Sequence, residues 1–257
     1  DLDEQMQTQI EEGFLEEIPN TQENQKGFII PQFVVYQEKK TTTSKRLCLN
    51  CRAQFFHKGK RVTLNDSICT PPNNIVDLVQ VLTRARRHRV LFGGDIKKMF
   101  LQVHVLPADS HYLKVVWRPG QDQSKPLRLF QYKVHFFGKK CSPWLSIELV
   151  RHKAQENKTK FPEAYASIVD STLVDDLFDS RDDEETALRT MLQTKELLQD
   201  HCQMNMRKWL SSSKQCLAPF PEKDHAPSLD LGIKPEDGSV IRTLGLVYQS
   251  GPDVFTY

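Results

Sequence analysis

The chain has 257 residues, of which 39% are hydrophobic and 26% charged, enough for one large or two modest domains with real cores. No run of about 18 apolar residues is present, and the acidic beginning is unlike a signal or transit peptide, so we expect a soluble intracellular protein that is neither secreted nor bound to a membrane. Six cysteines at irregular spacing predict reduced thiols rather than a disulfide framework.

The formal net charge of +2 conceals an asymmetry between the beginning of the chain and the remainder. Residues 1–25 hold eight acidic and no basic side chains, which leaves 35 basic against 25 acidic residues, or +10, in the remainder. That excess of positive charge is compatible with binding a polyanion such as nucleic acid, although an ordinary solvated basic surface would look the same.

The first ninety residues predict an arm, a hairpin and a helix. Residues 1–25 predict a short peripheral helix or extended arm. Two β-rich runs, 28–36 and 46–49, are joined by a polar basic connector, which predicts a hairpin with positive charge at its tip. A helix is expected at about 74–87, after the Pro71–Pro72 break, with its apolar residues on one face.

The remainder predicts strands and helices in alternation, and the fold class is α+β. An apolar strand reaches Asp95 and is followed by a turn and an alternating strand at 101–105. Further elements are expected in the following order: a strand at 127–137, a helix from Ser142, two short strands within 166–180, a helix at 181–200 capped by Ser180, a strand at 204–210 and a hairpin at 242–257.

Two acidic positions stand at the ends of apolar β runs, Asp95 after residues 91–94 and Asp175–Asp176 after residues 168–174. A carboxylate at a buried strand end is costly unless a cation compensates its charge. Hard oxygen ligands suit Mg²⁺, and two such ions can activate a 3′-hydroxyl and stabilise a leaving pyrophosphate. A plain β-turn at Asp175–Asp176 and a helix cap at Asp95 are the alternatives.

Seven short stretches carry a family resemblance over residues 27–257. In order they are TTTSKRL, VTLNDSI, GGDIKKMFLQVHVLPAD, FFGKKCSPW, LVDD, MRKWLSS and RTLGLVY. In this order they resemble the reverse transcriptases of long-terminal-repeat retrotransposons, most closely the BEL/Pao group. The resemblance implies a right-hand polymerase fold with an antiparallel palm sheet backed by helices, a mixed fingers subdomain, and a thumb that is missing or incomplete.

The resemblance implies an RNA-directed DNA polymerase that uses two Mg²⁺ ions, with Mn²⁺ as a substitute. Asp95 and Asp175 would hold the metal ions and Asp176 would support them. The implied contacts to the incoming nucleotide involve the Arg46 and Lys45 side chains, the backbone N–H groups from Ile96 to Met99, Phe100 beneath the sugar, Gly138 and Lys208. A core role for Phe100 and a solvated hairpin tip for Arg46 and Lys45 are the alternatives. Leu244–Gly245 resembles the turn that holds the primer end.

The resemblance also implies partners and an organisation. The partners are an RNA or DNA template with its primer, deoxynucleoside triphosphates, and RNase H and integrase domains of a Pol polyprotein of which this chain would be a piece, in the cytoplasm or in a virus-like particle. The expected segments are an acidic arm at 1–26, a fingers-like subdomain at 27–90 and a palm at 91–257.

Three departures and two rival functions accompany this interpretation. Leu173 replaces the family's tyrosine, Asn50 replaces an aspartate, and the region around Phe137 lacks the polar residue that many related enzymes place before the glycine. These changes fit a catalytically silent descendant that still binds nucleic acid or a protein partner. The other rival is a zinc module built on Cys48, Cys51, His57 and Cys69. No local signature supports a hydrolase.

Overall fold

The computed structural model describes residues 2–36, 45–226, 240–243, 246–249 and 254–256. Its α-helices are α1 (Leu2–Glu11), α2 (Leu64–Ser67), α3 (Leu78–Ala85), α4 (Pro107–Ser110), α5 (Ser142–Glu156), α6 (Pro162–Ser171), α7 (Glu184–Glu196) and α8 (Lys214–Leu217). Its strands are β1 (Leu15–Ile18), β2 (Gln32–Tyr36), β3 (Lys45–Leu49), β4 (Phe55–His57), β5 (Lys60–Val62), β6 (Val90–Ile96), β7 (Lys114–Trp117), β8 (Arg128–Tyr132), β9 (Thr172–Leu173), β10 (Asp176–Arg181), β11 (Met206–Ser211), β12 (Val240–Thr243), β13 (Leu246–Gln249) and β14 (Val254–Thr256).

The chain divides into two compact units, and each unit combines two separate stretches of the sequence. The first unit comprises residues 1–72 and 100–145, and the second comprises 73–99 and 146–257. The expected division by function, into segments 1–26, 27–90 and 91–257, stays a prediction. No helix within the described residues is long and apolar enough to cross a membrane.

The first unit contains the three-stranded antiparallel sheet β1-β8-β7 and the two hairpins β2–β3 and β4–β5. The predicted pairing of β2 with β3 is confirmed, while the basic connector at 37–44 lies outside the described residues. The expectation of a peripheral arm is wrong. Met6 of α1 is fully buried, Leu15 of β1 pairs with Tyr132, and Trp117 Nε1 donates to Asp3 at 2.7 Å.

The second unit is built on the antiparallel sheet β11-β6-β10-β9, against which α3, α6 and α7 pack. The central strand β6 is buried along almost its whole length, which explains its continuous apolar sequence. Gly93 permits this packing, since a Cβ there would lie 2.4 Å from the Leu177 carbonyl oxygen. A second sheet of this unit is β12-β13-β14; the predicted turn at Leu244–Gly245 lies outside the described residues.

Four predicted elements differ from the observed ones. Residues 166–171, where a strand was expected, belong to α6 instead, so the apolar β run expected before Asp175 shrinks to β9. Ser180 stays within β10, and α7 is capped by Asp183, whose carboxylate accepts from the Thr186 amide at 2.8 Å. The strand expected at 101–105 is replaced by a 3₁₀ turn at Met99–Gln102 and the isolated bridge His104–Val134. Helix α3 begins later than predicted because Asp77 caps it.

Candidate functional site

Two carboxylates meet across the central strand pair of the second unit. Asp95 is the penultimate residue of β6 and Asp176 is the first residue of β10, and the antiparallel register places them directly opposite each other. Directly opposite residues project from the same face of a sheet, with Cβ atoms about 4.5–5.5 Å apart. The fold therefore brings together two of the three predicted catalytic aspartates, although they stand 81 positions apart in the sequence.

The third aspartate, Asp175, lies in the two-residue turn that joins β9 to β10. Leu173 pairs with Asp176, so Val174 and Asp175 are the loop residues of a tight hairpin. Val174 has φ of 58°, a left-handed conformation that a β-branched residue rarely adopts. The turn is attached to β6 by the Ile96 amide, which donates to the Asp175 carbonyl oxygen at 2.8 Å. A strained backbone held by its neighbours is typical of functional sites.

Asp95 also contacts two basic residues of β11. Arg207 pairs with Asp95 in the strand register, and its Nε donates to Asp95 Oδ2 at 3.0 Å. Lys208 Nζ lies 3.4 Å from the same oxygen. Successive strand residues normally project from opposite faces, but the register shifts after Arg207 and Lys208 has φ of 53°. This bulge lets both cations reach one carboxylate.

The donor chemistry of this region fits Mg²⁺, which takes hard oxygen ligands and is commonly held by one or two carboxylates together with water and substrate phosphates. Asp95 and Asp176 supply two such carboxylates on one face. In the present side-chain arrangement, the described residues contain no group of three or more His, Cys, Asp or Glu side chains close enough to hold a metal ion. The oxygen Oδ2 of Asp95 faces Arg207 and Lys208 instead.

Two of the backbone amides expected to cradle a triphosphate are already donors within the protein. The Ile96 amide donates to Asp175 O, and the Lys97 amide donates to Asn205 O at 2.8 Å. Neither can bind a phosphate without giving up its partner. In this structure the Ile96 amide holds the turn at Asp175, and its implied contact with the triphosphate stays a prediction.

Four further predicted nucleotide contacts belong to the first unit: Arg46, Lys45, Phe100 and Gly138. Arg46 is exposed on β3, whereas Lys45 Nζ pairs with Glu4 at 2.8 Å, an ion pair that raises the pKa of the lysine. Phe100 is only 5% exposed and contacts the half-exposed Phe137 ring at a centroid distance of 4.5 Å. This burial agrees with the alternative that assigns Phe100 to the core.

Gly138 occupies a position that only glycine suits. Its φ is 113°, and a Cβ would lie 2.4 Å from the Leu49 carbonyl oxygen. The turn is held by Asn65, whose amide nitrogen donates to Gly138 O at 2.9 Å and whose amide oxygen accepts from the Lys140 amide at 3.0 Å. Sequence reasoning recognised VTLNDSI as a motif but missed this role of Asn65, just as it missed Arg207.

The zinc alternative is disfavoured by the positions of its four residues. Burial raises the pKa of the Cys51 thiol to about 11 in the metal-free protein. Cys48, Cys51, His57 and Cys69 are all within the described residues, and none belongs to a potential metal-binding group there.

Comparison with solved structures identifies the fold. No family model and no curated protein matches the chain. A foamy viral protease-reverse transcriptase in complex with an RNA/DNA hybrid is similar with a TM-score of 0.58 at 12% identity, covering 95% of this chain and 25% of that one.

Two further structures give the same result. The protease-reverse transcriptase of prototype foamy virus gives 0.56 at 15% identity over 78% and 22% of the two chains. A foamy viral protease-reverse transcriptase dRH bound to double-stranded DNA gives 0.56 at 14% identity over 79% and 31%. The chain thus spans less than a third of these relatives. It has a mixed α/β fold that resembles reverse transcriptase structures.

Proposed function

We propose that the chain is the reverse transcriptase domain of a long-terminal-repeat retrotransposon of the BEL/Pao type, an RNA-directed DNA polymerase. The observation that carries this proposal is the direct opposition of Asp95 and Asp176, with Asp175 in the intervening turn, within a fold that resembles reverse transcriptases. The partners would be a primer on an RNA or DNA template and deoxynucleoside triphosphates. The fingers and palm assignment belongs to the same proposal.

The reaction would join the primer 3′-oxygen to the α-phosphorus of the nucleotide and break the bond from that phosphorus to the oxygen bridging to the β-phosphate. Asp95 and Asp175 would hold two Mg²⁺ ions, with Asp176 in support. When bound, the ions would lower the pKa of the 3′-hydroxyl and neutralise the leaving pyrophosphate. Lys208 would stabilise negative charge on the pyrophosphate.

The strand register refines the assignment of roles. The resemblance assigns the second metal-binding role to Asp175, whereas the residue opposite Asp95 in the sheet is Asp176. The carbonyl oxygen of Asp175 accepts from the Ile96 amide, which holds the turn against β6. Asp175→Asn and Asp176→Asn tested separately would assign the two roles.

The nucleotide contacts proposed in the first unit are the Arg46 guanidinium, the backbone at Gly138 and the Phe100 ring. Arg46 carries a fork of donors that matches phosphate oxygens and is exposed. Lys45 would assist only after leaving Glu4. Phe100 is supported by Phe137, so it would act as a rigid wall rather than a mobile side chain.

The test is primer extension on an RNA template with Mg²⁺ and deoxynucleotides, together with primer-template binding measured by fluorescence anisotropy. We expect extension by the chain, a loss of at least a hundredfold in Asp95→Asn and Asp175→Asn, and little change in the exposed control Asp200→Asn. Intact binding with no extension by any variant would instead support the silent nucleic-acid-binding descendant, which the Leu173 replacement favours. Failure of both readouts would contradict the proposal.

A further inference from the structure

The ion pair between Arg207 and Asp95 is built into the sheet rather than formed by chance at the surface. The two residues are register partners on neighbouring strands, and their side chains are 31% and 15% exposed. The bond uses Nε at 3.0 Å, the guanidinium nitrogen nearest the backbone, so the planar group lies against the carboxylate at close range.

Arg207, Asp95 and Asp176 form a row across β11, β6 and β10. Because directly opposite residues share one face of the sheet, this row places one positive side chain next to two negative ones. Like charges directly opposite each other are destabilising in a sheet. The guanidinium therefore compensates the Asp95 carboxylate at the end of a buried strand.

A divalent cation and Arg207 would compete for Asp95. A Mg²⁺–oxygen bond is about 2.1 Å long, whereas the guanidinium nitrogen stands 3.0 Å from Asp95 Oδ2. A dication on that oxygen would repel the guanidinium, which cannot relieve the repulsion by losing its proton. Lys208, whose ammonium lies 3.4 Å away on a flexible four-carbon stem, can withdraw more easily.

We propose that Arg207 is a displaceable counter-cation of Asp95, which occupies the carboxylate in the metal-free protein and weakens its affinity for divalent cations. This inference rests on the proposed function, since it takes Asp95 as a metal ligand. It predicts that removing the guanidinium tightens metal binding, the opposite of what removal of a supporting residue would do.

The test measures Mn²⁺ binding to the 257-residue chain without nucleotide, from the electron paramagnetic resonance signal of the free aqueous ion. We expect Arg207→Gln to lower the dissociation constant roughly tenfold, since a charge-assisted bond no longer competes. Arg207→Lys should lower it less. Arg189→Gln is the matched control, because it removes another arginine–carboxylate pair, with Glu163 at 2.7 Å, in the same unit.

The Asp95→Asn variant separates the inference from the proposed function on which it rests. If Asp95→Asn weakens Mn²⁺ binding while Arg207→Gln leaves it unchanged or weaker, Arg207 is no counter-cation and the metal site stands. If Mn²⁺ binding is insensitive to Asp95→Asn, or absent from all variants, both the metal site and the inference are overturned. Tighter binding in Arg207→Gln that disappears when Asp95→Asn is added supports the proposal.

Discussion

Asn65 holds the Gly138 turn through both ends of its side-chain amide: the nitrogen donates to Gly138 O at 2.9 Å, and the oxygen accepts from the Lys140 amide at 3.0 Å. An amide side chain suits this position because it combines one donor and one acceptor at a fixed distance. The carboxylate of an aspartate has two acceptors and would face a carbonyl oxygen.

Asn65→Asp should therefore destabilise the protein by about 1–3 kcal/mol, since one hydrogen bond is lost and a carboxylate is placed against a carbonyl. Urea unfolding followed by circular dichroism measures this change. Asn20→Asp is the control, because Asn20 is an exposed asparagine that also uses both ends of its amide. Equal losses in the two variants would show that the Gly138 turn does not depend on Asn65.

Gly138 and Gly13 together separate backbone strain from steric clash. Both have positive φ, 113° and 76°, but a Cβ at Gly138 meets Leu49 O at 2.4 Å whereas a Cβ at Gly13 meets nothing within 4 Å. Gly13→Ala should cost about 1 kcal/mol of left-handed strain. Gly138→Ala should cost about 3 kcal/mol or more, because the backbone must also move. Thermal unfolding of the two variants tests this order. If the two variants lost equal stability, the cost would be conformational strain alone, without a steric clash at Gly138.

At position 174 we expect the glycine variant to be more stable than the alanine variant, which reverses the usual order of stability. The φ of 58° at Val174 strains any residue with a Cβ, while the Val174 side chain lines a small apolar pocket with Ile147, Val150 and Ile168. Val174→Ala loses these contacts and keeps the strain, whereas Val174→Gly loses them and relieves it. We expect the glycine variant to be more stable than the alanine variant by about 1 kcal/mol.

The measurement for Val174 is the free energy of unfolding of the two variants. Val116→Ala and Val116→Gly provide the control, since Val116 lies within β7, where glycine should be the less stable of the two by about 0.5–1 kcal/mol. The same order at both positions would show that the turn is unstrained.

Local sequence signals predicted the fold where they agreed with packing. Helix α5 was predicted at its observed start because proline suits the first turn of a helix. Helix α6 was missed because serine and β-branched residues suggested a strand. Its buried positions, Ala164, Ser167, Ile168 and Ser171, do follow helical spacing, but two of the four are polar, which hid the pattern from a search for apolar residues.

The carboxylates of the candidate site were predictable, but their basic partners were not. Asp95 and Asp175–Asp176 stand out because acidic residues follow apolar runs. Strand alternation alone would send Arg207 and Lys208 to opposite faces. Only the bulge brings both to Asp95, and a bulge depends on the register between β6 and β11, which is a tertiary property.

We expect the buried pair of His135 and Lys139 to make the protein sensitive to acid. The histidine Nδ1 lies 2.8 Å from the lysine Nζ, and both side chains are buried. Burial, and secondarily the neighbouring Lys139, lowers the pKa of His135 to about 4, and burial lowers the pKa of Lys139 to about 8. The folded protein therefore favours neutral His135 over the imidazolium.

Because the pKa of His135 is about 4 in the folded protein against an ordinary 6.5, its contribution is fully present above pH 6.5 and is lost as the pH falls toward 4. The loss should be on the order of 2–3 kcal/mol. His135→Gln, which keeps an acceptor for Lys139 but cannot titrate, should lose less stability between pH 6.5 and 4.5 than the unaltered chain does. Urea unfolding at several pH values measures the difference, with the exposed His152→Gln as control. Parallel pH profiles for the unaltered chain and His135→Gln would mean that His135 is as easily protonated in the folded as in the unfolded protein, and that acid sensitivity arises elsewhere.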